Sequence, residues 1–285
     1  MKTWPLMLRF SGFFSLALLA ACCSTDRGMH AEALARQANL ARELIRTNDF
    51  VLTAYLRITN TAAPVNVYIE GDGLAWTSRH EPSLDPTPIE ATGLQLATAD
   101  PGVNVAYPAR PCQFTSMSIN PRCRVAYWTS KRFSPEVVTA LNQALDRLAS
   151  RLPGQHINLI GYSGGGALAV LLAAHRSDVS SIRTVAGNLD HQFVNQLHHV
   201  SAMPESLNAL DAGSSIAQLP QIHFSGSNDT VVPPEVAQRF IATTGPRCAQ
   251  LHIVPGLKHT GDWQRVWPAL LAITPACAGM PIEHG

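Results

Sequence analysis

Residues 156–175, HINLIGYSGGGALAVLLAAH, constrain the fold more than any other stretch of the chain. A short apolar run reads as a strand and meets a turn containing a serine and four glycines. The segment after the turn is apolar nearly all round, so it has to be a buried helix. The same strand–helix alternation recurs on either side. FVLTAYLRI (50–58), VNVYI (65–69) and VNVAYPA (103–109) precede it as strand-like runs, and SIRTVAGN, QIHFSGSND and AQLHIVPG follow it. Alternating strands and helices predict an α/β fold, a mostly parallel central sheet with helices on both faces.

The helices have readable ends. Residues 134–154 are the clearest case, with Ser134 as N-cap, Pro135 in the first turn and Glu136 at the positive end of the dipole. Val137, Leu141, Leu145, Leu148 and Leu152 form one apolar stripe, stopped by Pro153-Gly154. Residues 89–100 predict a short helix, and DWQRVWPALLAI the last one, with Pro268 near a kink.

The N-terminus sets the compartment. Lys2 and Arg9 precede an apolar run from Phe10 to Ala21, the layout of a secretory signal and too short for a membrane span. Leu19-Ala20-Ala21-Cys22 resembles the bacterial lipobox, which implies a signal over 1–21 and lipidation of Cys22. The expected localisation is then extracytoplasmic, lipid-anchored to a bacterial membrane. Residues 22–48 read as a membrane-proximal spacer or helix, and 49–285 as one domain with a small helical cap at about 189–218. In an oxidising space Cys112–Cys123 and Cys248–Cys277 are plausible disulfides on sequence proximity. No CxxC spacing supports a zinc site, and Cys23 is left over. A net charge of +1 gives no case for nucleic acid, and SKR at 130–132 reads as solvated surface.

Gly161-Tyr162-Ser163-Gly164-Gly165 matches Gly-x-Ser-x-Gly between a strand and a helix, a turn that presents a serine hydroxyl to substrate. Gly164, Gly166 and Ala169 also fit a dinucleotide fingerprint, with Asp190 as a poor ribose-binding acid. Two further loops favour the first reading. Asp229, in FSGSNDTVVPP, and His259, in HIVPGLKHTGDW, each follow a strand-like run. An acid there can hold an imidazole in the right tautomer, and the imidazole can activate the serine.

With Ser163, Asp229 and His259 in that chain order, the sequence over roughly 50–275 resembles the α/β-hydrolase fold family. The resemblance implies Ser163 as nucleophile, His259 as base then acid, and Asp229 as orienting carboxylate. It also implies oxyanion donors in the backbone N–H groups of Gly164 and Asp72, the latter in Glu70-Gly71-Asp72-Gly73. Glu70 stands where many relatives carry His, and an Asp side chain beside an oxyanion is unfavourable unless turned away. The activity implied is a membrane-tethered serine hydrolase acting on a small-molecule ester or other acyl substrate, with no metal or organic cofactor. A small serine peptidase and a non-catalytic binding lipoprotein are the alternatives.

Overall fold

The computed structural model describes residues 27–279. Eight strands form one sheet: β1 (Ala41–Arg46), β2 (Val51–Ile58), β3 (Val65–Ile69), β4 (Asn104–Pro108), β5 (Ile157–Tyr162), β6 (Val179–Val185), β7 (Gln221–Gly226) and β8 (Ala249–Val254). Their order is β1-β2-β4-β3-β5-β6-β7-β8. β1, β2 and β4 pair antiparallel, and every other pairing is parallel. The expected mostly parallel sheet is therefore present, with an antiparallel edge.

Helices cover both faces, because alternate residues of the central strands feed two separate apolar clusters. Val65, Val67, Ile157 and Leu159 pack with α3 (Pro135–Ala149), α4 (Gly164–Ala173) and α7 (Pro234–Thr244). Tyr68, Ile160 and Tyr162 pack on the other side with α1 (described from 27, ending at 37), α2 (Thr92–Thr98) and α8 (Trp263–Leu271). All ten residues of α4 are buried. Two short helices, α5 (His191–Leu197) and α6 (Ala209–Ala212), lie in the expected cap segment.

Two expectations change in part. Of the spacer or helix expected over 22–48, residues 27–37 are helical, but Ala41–Arg46 is a strand. The left-handed Asn39 ends α1, and Ala41–Arg46 then pairs along its whole length with β2. Arg42, Glu43 and Arg46 are the kind of charged side chains that keep an exposed edge strand from pairing further. Ser134 occupies the N-cap of α3, but its hydroxyl makes no capping bond, and the helix stops at Ala149, with Leu152 buried in the turn beyond. The Asp190 carboxylate is committed to structure. It caps α5 by accepting from Phe193 N–H at 3.1 Å and pairs with Arg239.

Cys112–Cys123 and Cys248–Cys277 are both bonded, which fits a protein that folds outside the cytoplasm. Among the described residues no helix is long and apolar enough to cross a membrane. Cys22, Cys23 and the signal segment lie outside the described residues.

Candidate active site

Ser163 joins β5 to α4 with φ 51° and ψ −119°, a conformation that L-residues rarely adopt. The strain, of order 1–3 kcal/mol, is held by the surroundings. Ser163 N–H donates to Val185 O at 2.9 Å, while its carbonyl accepts from Gly166 and Asn188 N–H groups, each at 2.9 Å. The flanking glycines are required by close approach. A Cβ on Gly161 would come within 2.2 Å of Gly165 O, and one on Gly165 within 2.2 Å of Ile69 O.

Asp229 and His259 arrive from the ends of β7 and β8, whose loops are stitched together. Ser227 N–H donates to Val254 O at 3.0 Å, and Asn228 N–H to Leu257 O at 2.9 Å. His259 Nδ1 lies 2.9 Å from Asp229 Oδ2, and His259 Nε2 lies 3.0 Å from Ser163 Oγ. Asp229 Oδ1 accepts from the N–H groups of Val231 and Val232 at 2.9 and 2.8 Å, which fixes the carboxylate plane. A carboxylate at Nδ1 selects the tautomer with its proton there, leaving Nε2 to accept from the serine hydroxyl.

The imidazole is also held from behind. Tyr162 OH and Trp263 Nε1 both donate to the His259 carbonyl, at 3.1 and 3.0 Å, and the Tyr162 ring lies 5.6 Å from the imidazole. Burial raises the Tyr162 hydroxyl's pKa, so it stays a donor. The 189–218 segment touches the acid loop, with His198 Nε2 2.7 Å from Val231 O. Met203 of the same segment is buried core, whereas Leu207 is exposed.

The turn after β3 lies against the nucleophile. A Cβ on Gly71 would sit 3.1 Å from the Tyr162 ring and 3.3 Å from Ser163 Cβ, and one on Gly164 would meet Asp72 Oδ1 at 2.1 Å. Gly164 and Asp72 are thus brought side by side. Glu70 braces this turn. Its buried carboxylate accepts from Gly71, Gly93 and Leu94 N–H groups and from Tyr107 OH, at 2.9 to 3.3 Å. Burial raises its pKa, and these four donors only partly offset that.

The Asp72 side chain is clamped. Arg110 Nη1 lies 2.6 Å from Oδ1 and Arg132 Nε 3.3 Å from Oδ2, while Arg110 Nη2 donates to Arg132 O at 2.7 Å. Both guanidiniums stack near Phe133, 5.5 and 5.4 Å from its centroid. Burial pushes the Asp72 pKa up, but Arg132 and Arg110 together outweigh it and hold the carboxyl below its usual range. Arg132 is therefore part of the site and not solvated surface.

The family model described as Serine hydrolase (FSH1) matches residues 89–262, more than half of the chain. The chain belongs to that serine hydrolase family. No curated protein sequence matches it. Solved structures give the hydrolase its fold relatives. Est1E from Butyrivibrio proteoclasticus is 15% identical with a TM-score of 0.55, covering 80% of this chain and 95% of that one. The Pyrococcus furiosus esterase Pf2001 is 15% identical with a TM-score of 0.59, covering 83% and 90%. An acylaminoacyl peptidase from Pyrococcus horikoshii is 11% identical with a TM-score of 0.54, covering 78% of this hydrolase but only 37% of the peptidase. At these identities the likeness establishes the α/β-hydrolase fold.

Proposed function

We propose that this serine hydrolase is a membrane-tethered enzyme that cleaves a carboxylic ester through an acyl-enzyme on Ser163. The observation that carries the reading is the unbroken chain Ser163 Oγ–His259 Nε2 at 3.0 Å and His259 Nδ1–Asp229 Oδ2 at 2.9 Å. In this reading Ser163 Oγ attacks the acyl carbon as His259 Nε2 takes its proton. Asp229 stabilises the imidazolium, which then protonates the leaving oxygen. Water enters by the same route in reverse and frees the acid. Negative charge on the tetrahedral oxygen is met by the N–H groups of Gly164 and Asp72, where one donor is worth about a hundred- to a thousandfold in rate. The clamp on the Asp72 carboxylate supports that role, since it neutralises the acid that would otherwise oppose an oxyanion. The tether is assigned to an acylated Cys22 in Leu19-Ala20-Ala21-Cys22.

The test is a matched panel of an ester, a thioester and an amide of one acyl group. The ester should turn over fastest, with all turnover lost in Ser163→Ala. An amide turned over at a comparable kcat/KM would move the assignment to a peptidase or amidase. Turnover unchanged in Ser163→Ala would reject the assignment of the nucleophile.

A further inference from the structure

Arg27, the first described residue, is fastened to the loop that leaves the oxyanion turn. Its guanidinium pairs with Asp85 Oδ2 at 2.9 Å and donates to the Thr87 carbonyl. That loop, residues 74–89, springs from the C-terminal end of β3, where Leu74 N–H donates to Pro86 O at 3.1 Å. Trp76 bridges Pro82 within it. Exposed apolar side chains stand on α1 and on this loop, among exposed Thr77, Ser78, Arg79, His80 and Glu81. Leu84 is 83% exposed, Ile89 62%, Met29 59% and Trp76 45%. Leu84, Ile89 and Met29 each lie within two residues of a group in the Arg27 contact. The charges among them are mixed, with Arg79 against Glu81 and Glu90, so the patch has no sign with which to select a charged protein.

Chain length then decides what faces the patch. Cys22 precedes Arg27 by five residues, and five residues span at most about 18 Å even when fully extended. An acylated Cys22 therefore brings the surface around Arg27 to the bilayer. We infer that Met29, Trp76, Leu84 and Ile89 form a membrane-docking face that sets the catalytic end of the sheet against the lipid surface. The inference rests on the reading of Cys22 as the lipidated residue. Apolar side chains at an interface add to an acyl anchor, and together they fix orientation as well as attachment.

Trp76 supplies the probe. Trp128, Trp263 and Trp267 are buried, and Trp4 lies in the segment removed by cleavage before Cys22. The mature chain is purified from membranes, its N-terminal mass is measured, and it is reconstituted in phosphatidylcholine vesicles with or without brominated acyl chains. Brominated lipid should quench part of the tryptophan emission. The quenching should vanish in Trp76→Phe and fall in Leu84→Ser/Ile89→Ser. An acylated, vesicle-bound protein with unquenched Trp76 would overturn the docking face while leaving the anchor intact. A mass without acyl chains would reject the anchor, and vesicle co-sedimentation of the chain would then decide the face alone. Binding that drops about tenfold in Leu84→Ser/Ile89→Ser would sustain it. No binding, or binding that the double variant leaves unchanged, would overturn it.

Discussion

In the proposed chemistry, an acidic side chain beside the oxyanion turn is tolerable only if it is neutralised. Arg110 supplies the closest cation to Asp72, at 2.6 Å from one carboxylate oxygen. In Arg110→Met that carboxylate loses its closest cation and its fixed direction, and the Asp72 N–H loses its placement. We expect kcat to fall about tenfold or more with KM little changed, because the lost interaction belongs to the transition state. The cost in stability should be about 1–3 kcal/mol by thermal unfolding, below that of a fully buried pair because Asp72 keeps some contact with solvent. Adding Asp72→Asn should recover part of both losses, and a double variant no better than Arg110→Met would reject this account of the clamp. Sequence reasoning reached Ser163, Asp229 and His259 because each stands in a loop at the end of a strand-like run. It could not reach Arg110, Arg132, Tyr162 or Trp263 as supports, since their contacts join segments 22 to 97 residues apart or depend on side-chain direction. Glu70 was visible only as a departure from a familiar pattern. Its four donors come from β4, the turn itself and the start of α2, which no local spacing encodes.

Among the elements, the β5–α4 elbow is the most tightly specified. Gly165 sits against the end of β3, and an added methyl would lie 2.2 Å from Ile69 O and 2.6 Å from Glu70 O, both backbone. Neither atom can move without dragging the turn after β3. Gly165→Ala should therefore lose about 3 kcal/mol or more and most activity. Gly28→Ala in α1, with nothing within 4 Å of the new methyl, should stay within about 1 kcal/mol of the parent. Thermal unfolding of the two variants checks the contrast, and equal stability would contradict it. This elbow, β3 and α4 were legible because both strand and helix are buried and so carry long apolar runs. ARELIR was not. An edge strand needs little apolar pattern, and six residues rich in Arg, Glu and Leu look helical until their pairing with β2 is seen. The end of α3 was placed late for a related reason, because Leu152 remains in the apolar stripe after the helix has stopped.

At the scale of the whole molecule, the sheet carries, one strand in from its β8 edge, a buried titrating group unrelated to the proposed chemistry. His223 on β7 is fully buried, with Nδ1 2.9 Å from Thr184 Oγ1, no partner at Nε2, and the Phe240 ring edge-on at 5.2 Å. Burial lowers its pKa from 6.5 to about 3. Between those values the unfolded chain binds a proton that the folded chain refuses. Its contribution to stability is thus complete above pH 6.5 and is lost as pH falls toward 3, by up to about 1.4 kcal/mol per pH unit. Asp72, held below its usual range, adds loss of the same sign at lower pH. Glu70, raised, works the other way and loses stability as pH rises through its folded value. Calorimetric Tm measured from pH 7 down to 4 should fall, and His223→Gln should flatten the slope. An unchanged slope would show that His223 is not the group responsible.

The central claim is that the elbow holds an activated nucleophile, and covalent labelling tests it most directly. Purified protein is treated with a fluorophosphonate and the adduct mapped by mass spectrometry, beside Ser163→Ala and His259→Ala. A single adduct on Ser163, absent in the first variant and formed far more slowly in the second, is the predicted result. Folded protein that takes no label at Ser163, or labels as fast without His259, would contradict it.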